Sequence, residues 1–278
     1  MLRALYVDLD GTLLGPGASL LTAADGSFSM EGVRALQACS RAGVEVVIYS
    51  GRRQQNVAEA ARFIGQRSYI FDLGAGLVLD GELEWLTGNC VPSTHAGSIY
   101  HQIAASGGPE RLLKAFPGRL EYHVPWSADR EVSHLFRGEV DAEQAAAMLT
   151  DGGDWLRLVD NGVISAHGGT SNFVDYGLSD EVERVHIYHL MPAVASKARA
   201  VARHMQNRGY QREECIACGD SREDMDAATV VGSFWMMRNG VDSDPTISAE
   251  VARVGARVTS ETFGAGVYEA VVTALAGG

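Results

Sequence analysis

The sequence predicts an α/β fold, a parallel-sheet core interrupted by a second, α+β domain. Two observations set this architecture and a third locates its site. A strand–helix–strand–helix–strand rhythm occupies the first 75 residues and returns after Val185. Between about Leu86 and Arg184 the rhythm gives way to short strands, short helices and hairpin signals. Finally, the acidic and polar signals sit at strand carboxyl ends or adjacent helix starts, where open parallel sheets bind their ligands.

The first strand is the apolar run Leu5-Tyr6-Val7, which stops at Asp8-Leu9-Asp10-Gly11-Thr12. A carboxylate at the end of a central strand is costly to bury unless it is paired or bound to a metal. Taken alone, Asp10-Gly11 is also what an ordinary turn would show. A polar, glycine-rich connection spans Gly15 to Ser29, longer than such connections usually are. Ser29 then caps a predicted helix from about Met30 to Ala42, which Gly43 ends. Val44 to Tyr49 is β-branched and reads as the second strand, ending in Ser50-Gly51-Arg52. A helix over Gln54–Ile64 leads to the strand Tyr69-Ile70-Phe71. Asp80-Gly81 between Leu77-Val78-Leu79 and Leu83-Glu84-Trp85 is a strong hairpin signal.

The middle stretch predicts helices near Thr94–Ala105, Glu110–Phe116 and Asp141–Leu149. They alternate with strands near 120–124, 132–138, 156–160 and 163–167, the last two joined by an Asn161-Gly162 turn. This mixture suggests an antiparallel sheet with helices on one face. From Val185 the core resumes with a strand Val185–Leu190 and a helix Ser196–Asn207. Next come a strand Cys215–Cys218 and a helix after Asp224. A strand Phe234–Met237, a helix after Pro245, a strand Ala256–Thr259 and a helix Gly264–Leu275 complete it. The expected domains are therefore a core of residues 1–85 and 186–278 and an inserted domain of residues 86–185.

Composition narrows the function classes. The chain has 278 residues, 46% of them hydrophobic and 21% charged, and a net charge of −12. That charge argues against a nucleic acid or an anionic membrane as partner. An anionic substrate must be held by local cations, and only Lys114 and Lys197 are lysines among 23 basic residues. No apolar run approaches about 18 residues and the start shows no signal-peptide profile, so a cytoplasmic protein is expected. Cys215-x-x-Cys218 lacks a second pair and reads as two small buried thiols, with Cys39 in a helix and Cys90 in a loop.

Four stations converge on one rim: Asp8 with Asp10, Ser50-Gly51, Lys197, and Gly219-Asp220-Ser221-Arg222-Glu223-Asp224. Each has a plain alternative as a cap, a first-turn acid or a solvated side chain. Together they suit phosphoryl transfer. Mg2+ prefers carboxylate oxygens, so Asp8 and Asp220 can anchor it, with Asp10 contributing its carbonyl. Asp8 can attack phosphorus and Asp10 can move the proton. Ser50, the Gly51 amide and Lys197 can stabilise the equatorial oxygens, and Asp224 can hold ligands or Lys197 in place. Arg52, beside Ser50-Gly51, is a further candidate for substrate.

Asp8-Leu9-Asp10-Gly11-Thr12-Leu13 resembles motif I of the haloacid dehalogenase (HAD) superfamily of phosphohydrolases. Ser50, Lys197 and Gly219-Asp220-Ser221-x-x-Asp224 resemble its motifs II, III and IV, in the same order. The resemblance implies a Rossmann-like HAD core, and the insertion between motifs II and III looks like the C2 cap class. Pro192-x-x-x-Ser196-Lys197, Asn239-Gly240 and Gly264-Ala265-Gly266-Val267 are similar to the Cof-like, sugar-phosphatase side of that class. By that resemblance Asn239 joins the phosphate ligands and Ser221 stands near the metal. The chain departs at Tyr49, where a small residue or Thr is usual, and at Ser221 and Glu223, where Asn is usual. The cap is expected to choose the leaving group, with His123, Trp126, Arg130, His134, Arg137, His167 and Asn172 as candidates. His186 and His189, by their spacing, are read as structural. The resemblance implies a Mg2+-dependent phosphatase of a small phosphorylated metabolite, such as a sugar or polyol phosphate. The alternatives are a phosphomannomutase-like phosphotransferase and a non-catalytic binding protein.

Overall fold

A computed structural model of the chain describes residues 1–150, 155–164 and 177–277. The chain divides into two compact units, Met1–Glu84 with Ser196–Gly278, and Trp85–Ala195. Among the described residues, no helix is long and apolar enough to cross a membrane.

In chain order, the first unit begins with β1 (Ala4–Val7), α1 (Glu31–Ala42), β2 (Glu45–Tyr49) and α2 (Gln54–Phe63). β3 (Tyr69–Phe71), β4 (Gly76–Leu79) and β5 (Glu82–Trp85) follow. The inserted unit carries α3 (Ile99–Ala105), α4 (Gly108–Ala115), β6 (Leu120–Tyr122), β7 (His134–Gly138), α5 (Ala142–Thr150), β8 (Leu156–Ile164) and β9 (Val185–Pro192). The first unit resumes with α6 (Lys197–Arg208), β10 (Cys215–Gly219), β11 (Ser233–Met236), α7 (Arg238–Ser243), α8 (Ser248–Val254), β12 (Arg257–Val258) and α9 (Phe263–Ala276).

The core sheet runs β12-β11-β10-β1-β2-β3-β4-β5. The pairs from β12 to β3 are parallel and β3–β4 is antiparallel. Every side chain of β1 is buried, as a strand covered on both faces requires. From β1 the chain moves to β2 and from β10 it moves the other way to β11. That reversal opens a crevice at the carboxyl ends of β1 and β10. Asp8 follows β1 there, its amide bonded to the Cys218 carbonyl at 3.1 Å, and Asp220 follows β10. The Asp80-Gly81 hairpin is present, with both residues at positive φ (52° and 97°), the backbone of a type I′ turn. The Gly15–Ser29 connection folds on itself through bridges at Gly15–Ser19 and Thr22–Phe28. With the start of α9 it lines a cavity of about 330 Å3.

Two expectations need correction. The run Val185–Leu190 does not resume the parallel core; it is β9, paired antiparallel with β7 and β8 inside the sheet β6-β7-β9-β8. The inserted unit therefore runs to Ala195 instead of residue 185. β9 is almost wholly buried, and a strand apolar on both faces carries no periodicity that separates a central antiparallel strand from a parallel one. Asn161-Gly162 is not a hairpin turn. β8 continues through it along β9, pairing Asp160 with Tyr188 and Val163 with His186, so one extra residue bulges out. The Gly162 amide, at φ 98°, donates to Asp160 Oδ1 at 2.9 Å. His167, Asn172 and the end of the expected 163–167 strand lie outside the described residues.

Gly74 positions the start of α6. Its φ is 88°, and a Cβ there would lie 2.1 Å from the Ser196 carbonyl oxygen, one residue before Lys197. Gly43 shares the left-handed backbone (φ 67°) but has open space around it. Gly43→Ala is expected to cost about 1–2 kcal/mol for backbone strain alone. Gly74→Ala adds about 1–3 kcal/mol of overpacking against Ser196. Equal thermal midpoints for the two variants would rule out this role for Gly74.

Candidate active site

The site is built from the ends of β1 and β10, the start of α6 and the turn after β2. Asp8 is 7% exposed, Asp224 and Thr12 are fully buried, and Lys197 is 1% exposed. Lys197 sits at the start of α6, with Ser196 Oγ capping the helix by accepting from the Arg199 amide. Its ammonium donates to Asp8 Oδ1 at 3.1 Å and to Asp224 Oδ1, and lies 3.2 Å from Glu223 Oε2. Asp224 Oδ2 accepts from the Asp220 amide at 3.1 Å, the Ser221 amide at 3.0 Å and Ser221 Oγ at 2.7 Å. Asp224 thus ties the motif IV turn to Lys197, and the Ser221 hydroxyl is spent on that turn.

Asp8, Asp220 and Asp224 each place a carboxylate oxygen within 4.8 Å of the others. Both Asp224 oxygens are already engaged, which leaves Asp8 and Asp220 as the pair suited to a cation. Thr12 Oγ1 donates to Asp220 Oδ1 at 2.9 Å and orients it. Two glycines make room for Asp220. A Cβ on Gly11 (φ 79°) would stand 2.1 Å from its Oδ2, and one on Gly240 would stand 2.2 Å from its carbonyl oxygen.

Three buried carboxylates (Asp8, Glu223 and Asp224) share the one ammonium of Lys197, with half-buried Asp220 beside them. Burial pushes the Asp8 carboxyl up to about 7, Lys197 opposing and Asp224 adding to the rise. Burial likewise raises Glu223 to about 8, and Asp220 well above the carboxylate range with help from Asp224 and Asp8. Although burial disfavours its charge, Lys197 is held well above its usual value by Asp224, Asp8 and Glu223. Hard oxygen donors, an excess of negative charge and a cradle cleared by glycine fit a hard divalent cation.

Asp10 is placed differently. Its side chain is 53% exposed and gripped by Arg52, Nε at 2.6 Å and Nη2 at 2.5 Å from its two oxygens. Arg52, expected to reach substrate, instead holds this carboxylate. Ser50 is 2% exposed, with its amide on the Ile70 carbonyl at 3.0 Å and its Oγ accepting from the Arg52 amide at 3.3 Å. Gly51 lies between them in the turn after β2. Asn239, expected to reach phosphate, has both polar ends occupied. Its Nδ2 donates to the Gly11 carbonyl at 2.7 Å and its Oδ1 accepts from the Phe263 amide at 3.0 Å. It braces the Gly11 turn against α9. The contacts of Thr12, Tyr49 and Glu223 were not foreseen. In the sequence Tyr49 and Glu223 stand out only as departures from the family pattern; in the structure both meet Lys197.

Most of the described candidate residues of the inserted unit are engaged with partners inside that unit. Arg137 pairs with Glu121 at 2.5 Å, and Arg130 Nε donates to Ser133 Oγ at 3.1 Å. His134 stacks on Tyr100 and bonds to the Tyr122 hydroxyl at 2.9 Å. His186 bonds to Asp160 and His189 to Ser133. Burial and Arg137 press His123 down to about 4, while Trp126 is 56% exposed.

A parallel sheet with this reversal, an aspartate pair just after β1 and a lysine–aspartate clamp beside it match the arrangement that the resemblance to the haloacid dehalogenase superfamily implies. The family model of haloacid dehalogenase-like hydrolases matches residues 181–254, and the fold and the motif order agree with it. The chain is 22% identical to phosphoglycolate phosphatase of Methanococcoides burtonii over 100% of this chain and 99% of that protein. It is 21% identical to a putative phosphatase of Haemophilus influenzae over 85% of each. The crystal structure of the Synechocystis sucrose-phosphatase, bound to sucrose and phosphate, shares the fold. Its TM-score is 0.63 at 14% identity, covering 99% of this chain and 98% of that one.

A buried carboxyl raised above its unfolded value adds stability below the unfolded value and loses it as pH rises through the folded one. Asp8 and Glu223 therefore draw stability from the cation-free protein as pH climbs from about 4 through about 7 and 8. A cation requires the charged form, so its stabilisation grows over the same range. The Mg2+-induced rise in thermal midpoint is expected to be at least about 2 °C larger at pH 8 than at pH 6. It should vanish in Asp220→Asn. A rise equal at both pH values would contradict a cation site at these carboxylates.

Proposed function

We propose that the chain is a Mg2+-dependent phosphohydrolase that removes phosphate from a small phosphomonoester through an aspartyl-phosphate on Asp8. The observation that carries this reading is the buried Lys197–Asp8 contact of 3.1 Å beside Asp220, at the β1/β10 crevice. A carboxylate held on a rigid strand end, facing a fixed ammonium, is a preorganised nucleophile with its charge stabiliser in place.

In the first step an Asp8 oxygen forms a bond to phosphorus as the ester P–O bond breaks, and Asp10 gives its proton to the leaving oxygen. In the second, Asp10 takes a proton from water, the water oxygen bonds to phosphorus, and the Asp8 O–P bond breaks to release inorganic phosphate. Mg2+ held by Asp8 and Asp220 would supply Lewis-acid polarisation of the phosphoryl oxygens and offset their repulsion from the carboxylates. Lys197, Ser50 and the Gly51 amide serve the equatorial oxygens. Arg52 holds the Asp10 carboxylate in place for the base step.

The substrate is a small phosphorylated metabolite. A sugar or polyol phosphate is supported by the Cof-like motifs and by structural likeness to the sucrose-phosphatase, and a phosphorylated hydroxy acid by the phosphoglycolate phosphatase relative. A cytoplasmic setting accords with four free cysteines. A panel of phosphorylated metabolites separates these classes, and release of inorganic phosphate separates a phosphatase from a phosphotransferase.

Asp8→Asn is expected to abolish Mg2+-dependent phosphate release while leaving the thermal midpoint near or above that of the unsubstituted protein. Substantial residual turnover would sink the covalent route. Asp10→Asn should lower the rate on an alkyl phosphate by about 10²–10⁴-fold. With p-nitrophenyl phosphate, whose leaving group needs no proton, the first step should survive and the aspartyl-phosphate accumulate, visible by intact-mass spectrometry. Equal losses on both substrates without accumulation would remove Asp10 from the acid role.

A further inference from the structure

Four groups surround the Lys197 ammonium: Asp8, Asp224, Glu223 and the Tyr49 ring, whose centroid lies 4.8 Å away. They differ in what else they do. Asp8 is the nucleophile of the proposed reaction, so the oxygen Lys197 holds changes from carboxylate to acyl phosphate during each turnover. Asp224 commits its other oxygen to Asp220 and Ser221. Glu223 has no second task. It is 5% exposed, and neither of its oxygens completes a hydrogen bond; its ionic partner at 3.2 Å is Lys197. A buried carboxylate in that condition destabilises a fold, so its place is explained by what it does to the ammonium. Tyr49 is fully buried and its hydroxyl donates to the Cys218 carbonyl at 3.2 Å, which fixes the ring beside Lys197. A lysine head is a point charge on a flexible stem with rotatable donors and does not position itself.

We propose that Glu223 and Tyr49 are positioning residues that keep the Lys197 ammonium in place while Asp8 carries the phosphoryl group. This rests on the aspartyl-phosphate reading above. The carboxylate supplies an anchor the reaction does not consume, and the ring closes another side with its negative face. Loss of either lets the ammonium swing when its Asp8 partner is esterified, and a displacement near 1 Å is enough to slow phosphoryl transfer.

Having two lysines makes this directly observable. In protein carrying 13C,15N-lysine, exposed Lys114 is the internal reference. The Lys197 methylene protons should be displaced by the Tyr49 ring and its ammonium protons protected from exchange. Glu223→Gln keeps shape and removes charge. It is expected to lower kcat by about 10- to 100-fold, to weaken ammonium protection, and to leave the thermal midpoint unchanged or raised. A merely structural role would lower the midpoint instead. Tyr49→Leu should lose the ring-displaced signal and lower kcat. Tyr49→Phe, which keeps the ring, should recover most of that loss. An active protein in which Glu223→Gln alters neither kcat nor the Lys197 signal overturns the proposal alone. A protein that releases no phosphate from any ester overturns the functional reading and the proposal with it.

Discussion

The structure turns on an electrostatic imbalance, several buried carboxylates gathered around a single buried ammonium at the β1/β10 crevice. Isolated ionised carboxylates do not persist in an apolar interior. Here they persist because each is given a specific partner. Asp8 takes Lys197, Asp220 takes the Thr12 hydroxyl, and Asp224 takes Lys197, Ser221 and two amides. The residual negative charge still exceeds what one lysine neutralises; burial first, and that excess second, raise the proton affinities of Asp8, Asp220 and Glu223. A site that binds protons so readily is poised to exchange them for a cation.

The backbone around the cluster is shaped by the same need. Gly11 and Gly240 clear the volume that Asp220 fills, and Gly74 lets the segment after β3 press against Ser196 at the head of α6. Asn239 then locks the Gly11 carbonyl to the first turn of α9. These contacts hold the strand ends and the Lys197 helix in one frame, so the distance between Asp8 and the ammonium is set by packing. Asp10 is outside this frame. It is half exposed and held by Arg52 alone among the pairs described, which would suit the proton exchange proposed for it.

Much of the fold was legible because it depends on local pattern. The core strands, the Asp80-Gly81 hairpin and the Gly43 helix stop are written in periodicity and turn chemistry. The failures share a physical cause. Val185–Pro192 is buried on both faces, so its pattern does not reveal its partners, and Asn161-Gly162 has the composition of a hairpin turn but the register of a bulge. That Asp8, Lys197 and Asp220 gather at one place could be anticipated from their positions at strand and helix ends. Which side chains touch could not, since Thr12 reaches Asp220 across 208 positions and Asn239 reaches Gly11 across 228.

That distinction also explains why Tyr49 and Glu223 first registered only as oddities. A motif states which groups perform chemistry, and it is silent on the neighbours that hold them. A neighbour becomes visible in sequence only when its residue type is expensive where it stands. A glutamate inside a motif loop bordered by buried Gly219 and Asp224, and a tyrosine closing a strand after the β-branched run Val46-Val47-Ile48, both meet that condition. The structure shows that the two positions, 174 residues apart, meet at one ammonium. The separation is large in sequence and negligible in space because β2 and β10 both flank β1, and their ends deliver the two side chains to Lys197 from different sides. Position relative to the central strand, more than motif membership, decides which residues govern the lysine.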